Sequence, residues 1–192
     1  MTDRTHEKQP QVPSPGNRIR IAAALLAVAA LVGLAVVAGR RGSSPTTAFS
    51  TNPDRWELPR LGGQGTVRLA DFRGKPVVAN FFASWCVACE EELPGLAKVS
   101  RELEGQVVFV GVNSLDAGQG LSMARRFGID QWPLVRDVGG EQGSGLHDAL
   151  GARGMPATVF YDASGRRIDF AGGALSEAQF RERMRRLYGV RV

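Results

Sequence analysis

Between Val77 and Phe82 the only polar side chain is Asn80, and between Val107 and Val112 there is none. Apolar runs this short and this continuous predict strands covered on both faces. From Cys86 to about Leu103 the period changes. Leu93, Leu96, Val99 and Leu103 recur every three or four residues, which predicts a helix with an apolar stripe. Glu90, Glu91 and Glu92 fall in its first turns, where the helix dipole favours acids. Strand, helix, strand in that order implies a parallel pair, with the helix stacked on one face by a right-handed crossover.

The remaining pattern is finer. Thr66 to Leu69 alternates and predicts a short strand; Gly118 to Phe127 predicts a helix, Leu134 to Val138 a short strand, and Leu146 to Leu150 a helical turn or two. Ala157 to Tyr161 and Arg167 to Ala171 form a hairpin across Asp162-Ala163-Ser164-Gly165. Ser176 caps a closing helix that ends near Tyr188. Phe180, Met184, Leu187 and Tyr188 share one of its faces, and Arg181, Arg183, Arg185 and Arg186 take the other.

One run fits none of these patterns. Ile21 to Ala38 holds 18 residues without a charge, and as a helix at about 1.5 Å per residue it just spans a bilayer core. No polar face interrupts it, so residues 21–39 are expected to form a transmembrane signal anchor, with Arg18 and Arg20 before it and Arg40 and Arg41 after it. Val36-Val37-Ala38 can also serve as a cleavage site, which leaves a removed signal peptide open. Residues 1–20, with Pro10, Pro13 and Pro15, read as a disordered tail, and residues 40–55 as a linker. Residues 56–192 then make one α/β domain, long enough for a real core.

The formal net charge is +5 and the last helix is basic, but no aromatics interleave with its arginines and no groove-reading motif accompanies them. A solvated basic face is expected there, and no nucleic-acid partner. Cys86 and Cys89 are the only cysteines among the 192 residues, so no structural disulfide framework is present. Two sulfurs at this spacing can close a small-ring disulfide. If Cys86 opens a helix, its thiolate faces unpaired N–H groups and the positive end of the helix dipole, which makes it a nucleophile. The alternative use of the pair, half of a zinc site, needs two further ligands. His147, expected in a loop, cannot complete one alone, and His6 is remote. No metal or cofactor is expected.

Four motifs in order carry a family resemblance: Leu69-Ala70-Asp71-Phe72-Arg73-Gly74-Lys75-Pro76, Asn80-Phe81-Phe82-Ala83-Ser84-Trp85-Cys86-Val87-Ala88-Cys89, Glu92-Leu93-Pro94, and Gly154-Met155-Pro156-Ala157-Thr158. From about Thr66 onward the chain resembles thioredoxin-fold proteins of the TlpA/ResA/CcmG group, the membrane-tethered thiol-disulfide oxidoreductases of bacteria. The resemblance implies an α/β fold with a central mixed sheet flanked by helices. It makes Cys86 the exposed attacking thiolate and Cys89 the buried resolving thiol of one disulfide couple. It also implies a cis Pro156 against the couple, with the backbone of Met155 pairing with an extended substrate and Trp85 shielding the disulfide.

Thioredoxins proper carry a buried Asp where this chain has Asn80, and an amide cannot take up a proton; in the ResA-like branch a Glu at the position of Glu92 stands in as general acid and base. The implied partners are protein thiols and disulfides, apocytochrome c among them, and a membrane thiol carrier. The implied role is a reductant in cytochrome c maturation, with a disulfide-forming oxidase as the competitor. A copper-delivery protein is a different class, but its pattern resembles CxxxC with a distant histidine, one residue more than this chain has between the sulfurs.

Overall fold

A computed structural model describes residues 49–137 and 145–192. The expected span over residues 21–39 lies outside the described residues, and among those described no helix is long and apolar enough to cross a membrane.

The chain first forms two short antiparallel strands, Glu57–Pro59 (β1) and Thr66–Arg68 (β2), with Leu58 opposite Val67. A single 3-10 turn over Leu69–Phe72 follows. Residues 50–55, expected as linker, are tied to the domain: Ser50 and Glu57 exchange backbone hydrogen bonds, and Tyr161 OH donates to the Pro53 carbonyl at 2.8 Å. β1 itself was not expected. Three residues ending in proline give no alternation to read, and the strand exists because Leu58 is fully buried against the rest of the domain.

The main sheet has five strands in the order β5-β4-β3-β6-β7. Val77–Phe82 (β3) is its centre and is buried at every position, as its unbroken apolar run requires. Helix α1, Val87–Glu102, carries the chain across to Val108–Asn113 (β4), which lies parallel to β3. A shorter helix, Gly120–Arg126 (α2), leads to Leu134–Arg136 (β5), again parallel. After the four-residue helix Leu146–Ala149 (α3), Ala157–Tyr161 (β6) returns antiparallel to β3, and Arg167–Gly172 (β7) pairs with it through the expected turn. The mixed sheet is thus as expected, and the β5 edge is partly covered by an Arg60–Val135 bridge.

Helix Glu177–Tyr188 (α4) closes the chain with the cap read from the sequence. Gln179 N–H donates to Ser176 Oγ and Ser176 N–H donates back to the Gln179 side chain. Its arginines do more than face solvent: Arg181 bonds Glu102 of α1 with both guanidinium nitrogens, and Arg183 and Arg186 both reach Asp169 of β7. Such pairs are individually weak, but these three fix α4 in orientation against the sheet and α1.

Alternation along β3 sorts the core into two layers. Val77, Ala79 and Phe81 face Trp56, Leu58, Val110, Val159 and Leu146, while Val78 and Phe82 face Leu93, Leu96, Phe109, Phe160 and Phe180 under α1 and α4. Asn80 shares the parity of Val78 and Phe82. The one polar residue of the central strand is therefore aimed at α1, and that placement builds the site.

Candidate active site

β3 delivers the chain to Cys86, which is the N-cap of α1, and Cys86 and Cys89 form a disulfide. Cys89 N–H donates to Cys86 Sγ at 3.1 Å, so an N–H group at the helix start already points at this sulfur. A reduced Cys86 thiolate would meet the same donor and the same dipole, both favouring the charged form. Cys89 is completely buried, as expected. Cys86 is not the exposed residue anticipated: it is 4% exposed, because its sulfur turns in to cap the helix.

Behind the pair lies a buried polar group. Glu92 is one helical turn past Cys89 on the same face of α1 and is 3% exposed, unlike Glu91, which is exposed, and Glu90, which pairs with Arg126. Its Oε1 accepts from Leu175 N–H at 3.0 Å and its Oε2 from Asn80 Nδ2 at 3.1 Å. Asn80 Nδ2 also donates to Thr158 Oγ1 at 3.1 Å. Burial pushes the Glu92 carboxyl up to about 7, against the two hydrogen bonds that favour its ionised form. A carboxyl titrating there can both take up and return a proton at neutral pH. Thr158 and Leu175 are not legible as site residues in the sequence, since both reach the site only through the packing of β6 and of the segment before α4.

In front of the pair are Trp85 and Val87, 59% and 71% exposed, the most exposed large apolar side chains of the described domain. Trp85 is held by its indole N–H, which donates to the Leu115 carbonyl at 2.6 Å. Ser84 beside it donates through its N–H and hydroxyl to Asp116, at 2.7 and 2.8 Å. Asp116 also accepts from Asn113 Nδ2 and Gly118 N–H, and although burial opposes its ionisation these bonds hold its carboxyl below the usual range. The loop after β4 thus clamps the residues preceding Cys86. The available sequence signal was the polar cluster Asn113-Ser114-Leu115-Asp116 ending an apolar strand.

The Met155–Pro156 peptide is cis, as the resemblance implied. Ala157 pairs with Phe81, so Met155 and Pro156 lie at the end of the sheet where β3 runs on toward Cys86. Met155 packs against both core layers, and among the described residues neither its N–H nor its C=O has a backbone hydrogen-bond partner. A strand-like segment of another chain can pair with such an edge. His147 is not in a loop but in α3, and it is 3% exposed. Among the described residues no group of three or more His, Cys, Asp or Glu side chains could hold a metal ion.

The sequence profile of the thioredoxin-like domain matches residues 65–188. The chain belongs to the thioredoxin-like family. It is similar to the thiol:disulfide interchange protein DsbE of Pseudomonas fluorescens, 34% identical over 139 residues that cover 71% of this chain and 74% of that one. It is similar also to the thiol-disulfide oxidoreductase ResA of Oceanobacillus iheyensis, 27% identical over 155 residues and 79% of each chain. Among solved structures it resembles a secreted Mycobacterium tuberculosis disulfide oxidoreductase homologous to E. coli DsbE, with a TM-score of 0.58 and 26% identity, covering 68% of this chain and 95% of that one. This thioredoxin-like protein is a thiol-disulfide oxidoreductase of DsbE and ResA type, its CxxC being Cys86-Val87-Ala88-Cys89.

Proposed function

We propose that this protein, held by a transmembrane anchor over residues 21–39, reduces disulfides of other proteins outside the cytoplasm, apocytochrome c or similar thiols among them. The observation that carries the reading is a CxxC at a helix N-terminus with a buried carboxyl, Glu92, one turn behind it, and, at the same end of the sheet, the backbone of Met155, which has no backbone hydrogen-bond partner among the described residues.

In the reduced protein the Cys86 thiolate attacks a substrate disulfide; a Cys86–substrate bond forms and the other substrate sulfur leaves as thiolate. Glu92 takes the Cys89 proton as Cys89 attacks Cys86 Sγ. The second substrate sulfur leaves, the Cys86–Cys89 bond closes, and the substrate has gained two electrons. Trp85, Val87 and Met155 form the apolar docking surface, and Pro156, itself buried, fixes the backbone that follows Met155. A membrane thiol carrier returns the two electrons by the reverse exchange. The resemblance to the TlpA/ResA/CcmG group supports the location and a role in cytochrome c maturation.

Cys89→Ser leaves Cys86 able to attack but unable to be released. Expressed in a bacterial envelope, this variant should accumulate as mixed disulfides that dithiothreitol frees, and partners identified by mass spectrometry should be exported proteins with paired cysteines. Absence of dithiothreitol-sensitive adducts would argue against protein substrates. Adducts formed only with disulfide-generating membrane enzymes would make the protein an oxidase instead.

A further inference from the structure

The mechanism leaves the buried imidazole of His147 unused. His147 lies on α3, whose first two N–H groups, those of Leu146 and His147, donate to the Asp137 carboxylate at 2.6 and 3.0 Å. Asp137 is itself buried and accepts from Ser114 Oγ at 2.8 Å, which ties α3 to the end of β4. The imidazole stands edge-on to Phe81 of β3, ring centres 5.9 Å apart. Its Nε2 is 3.1 Å from the Gly154 carbonyl oxygen, and its Nδ1 is a longer 3.4 Å from Asp148 Oδ1. A carbonyl only accepts, so the Nε2 atom carries the proton.

The carbonyl of Gly154 and the N–H of Met155 belong to one planar peptide group and point in opposite directions. Anchoring the carbonyl inward on His147 therefore turns the Met155 N–H outward, on the side where a substrate segment would pair. The sequence restrains only one end of this peptide. Met155 precedes a proline and is confined to extended conformations, whereas Gly154 has no Cβ, and one added there would meet nothing within 4 Å.

We propose that His147 is a positioning residue for substrate docking, fixing the plane of the Gly154–Met155 peptide through Nε2. The proposal rests on Met155 being the docking edge. It predicts a split between two kinds of disulfide. A short unstructured peptide carrying one cysteine as its mixed disulfide with glutathione uses the Met155 edge, and Ellman's reagent, having no backbone, does not.

In the full-length protein His147→Phe keeps an aromatic ring beside Phe81 and removes the donor. The ratio of the rate with the peptide to the rate with Ellman's reagent should fall about tenfold, mainly through KM, as expected for one lost neutral hydrogen bond. His147→Gln, whose amide can replace the Nε2 donor, should restore the ratio to within about threefold. Equal losses with both reagents, or no rescue by His147→Gln, would overturn the proposal. A second measurement needs no variant: long-range proton–nitrogen NMR of the wild-type imidazole should show Nε2 protonated, and a bare Nε2 would overturn it equally. A wild-type protein inert toward the peptide would instead contradict the proposed function.

Discussion

Cys86→Ser should reduce thiol-disulfide exchange to the uncatalysed background while leaving the domain folded. Serine is itself a favoured N-cap, so the start of α1 keeps its hydrogen bond. The disulfide closes a loop of sequence separation 3, and the chain-entropy contribution of so small a loop is about 2 kcal/mol. That is a fraction of the 5–15 kcal/mol that roughly spans domain stabilities. The chemical loss is of another order, because a serine hydroxyl is not ionised at neutral pH and cannot take part in sulfur exchange. Turnover of a disulfide substrate should vanish and the circular dichroism spectrum should not. Residual turnover that depends on Cys89 would show that the roles of the two sulfurs are reversed.

Glu92→Gln should change both rate and stability, with signs fixed by the raised ionisation range. In the folded protein the carboxyl titrates near 7, against an ordinary value of 4.5. The native state therefore holds its proton more tightly than the unfolded chain does. Stability is greatest while the group is protonated, declines as the pH rises from about 4.5 to about 7, and is level above that. The decline amounts to about 3 kcal/mol at about 1.4 kcal/mol per pH unit. Gln is neutral throughout, so urea denaturation of the disulfide form at pH 5 and pH 8 should show most of that loss in the wild type and none of it in the variant.

The amide fits the site. Asn80 Oδ1 is buried and has no hydrogen-bond partner among the described residues, and rotating the Asn80 side-chain amide would bring that oxygen to the N–H group that the substitution introduces. The rate of substrate release should fall about a hundredfold at pH 7, the low end for loss of a general acid–base group, and its inflection near pH 7 should disappear. A variant as fast as wild type, with the inflection intact, would remove Glu92 from the chemistry.

What the sequence made legible was what short-range periodicity records. β3, α1, the β6–β7 hairpin and the Ser176 cap each carry their signal within a few residues, and the structure places them within one or two residues of expectation. Glu92 was separable from Glu90 and Glu91 by helix phase, since it lies three residues after Cys89 and four before Leu96 on the buried stripe. The polar frame of the site was not legible. Ser84 meets Asp116 across 32 positions, Leu175 meets Glu92 across 83, and His147 reaches Gly154 only because Asp137 holds α3 in place. No local pattern encodes such partners. The helical turn over Leu146 to Leu150 is legible, but a loop was expected for His147, which lies within that turn, and its burial against Phe81 is a tertiary contact that no local pattern records.

The most direct test is a redox titration of the full-length protein, following the Cys86–Cys89 bond by mass spectrometry after thiol trapping across defined dithiothreitol ratios. A working couple should open and close reversibly as one two-electron transition, about 30 mV per tenfold change. A bond that stays closed throughout, or opens only when the protein is denatured, would make the pair a structural staple and contradict the account.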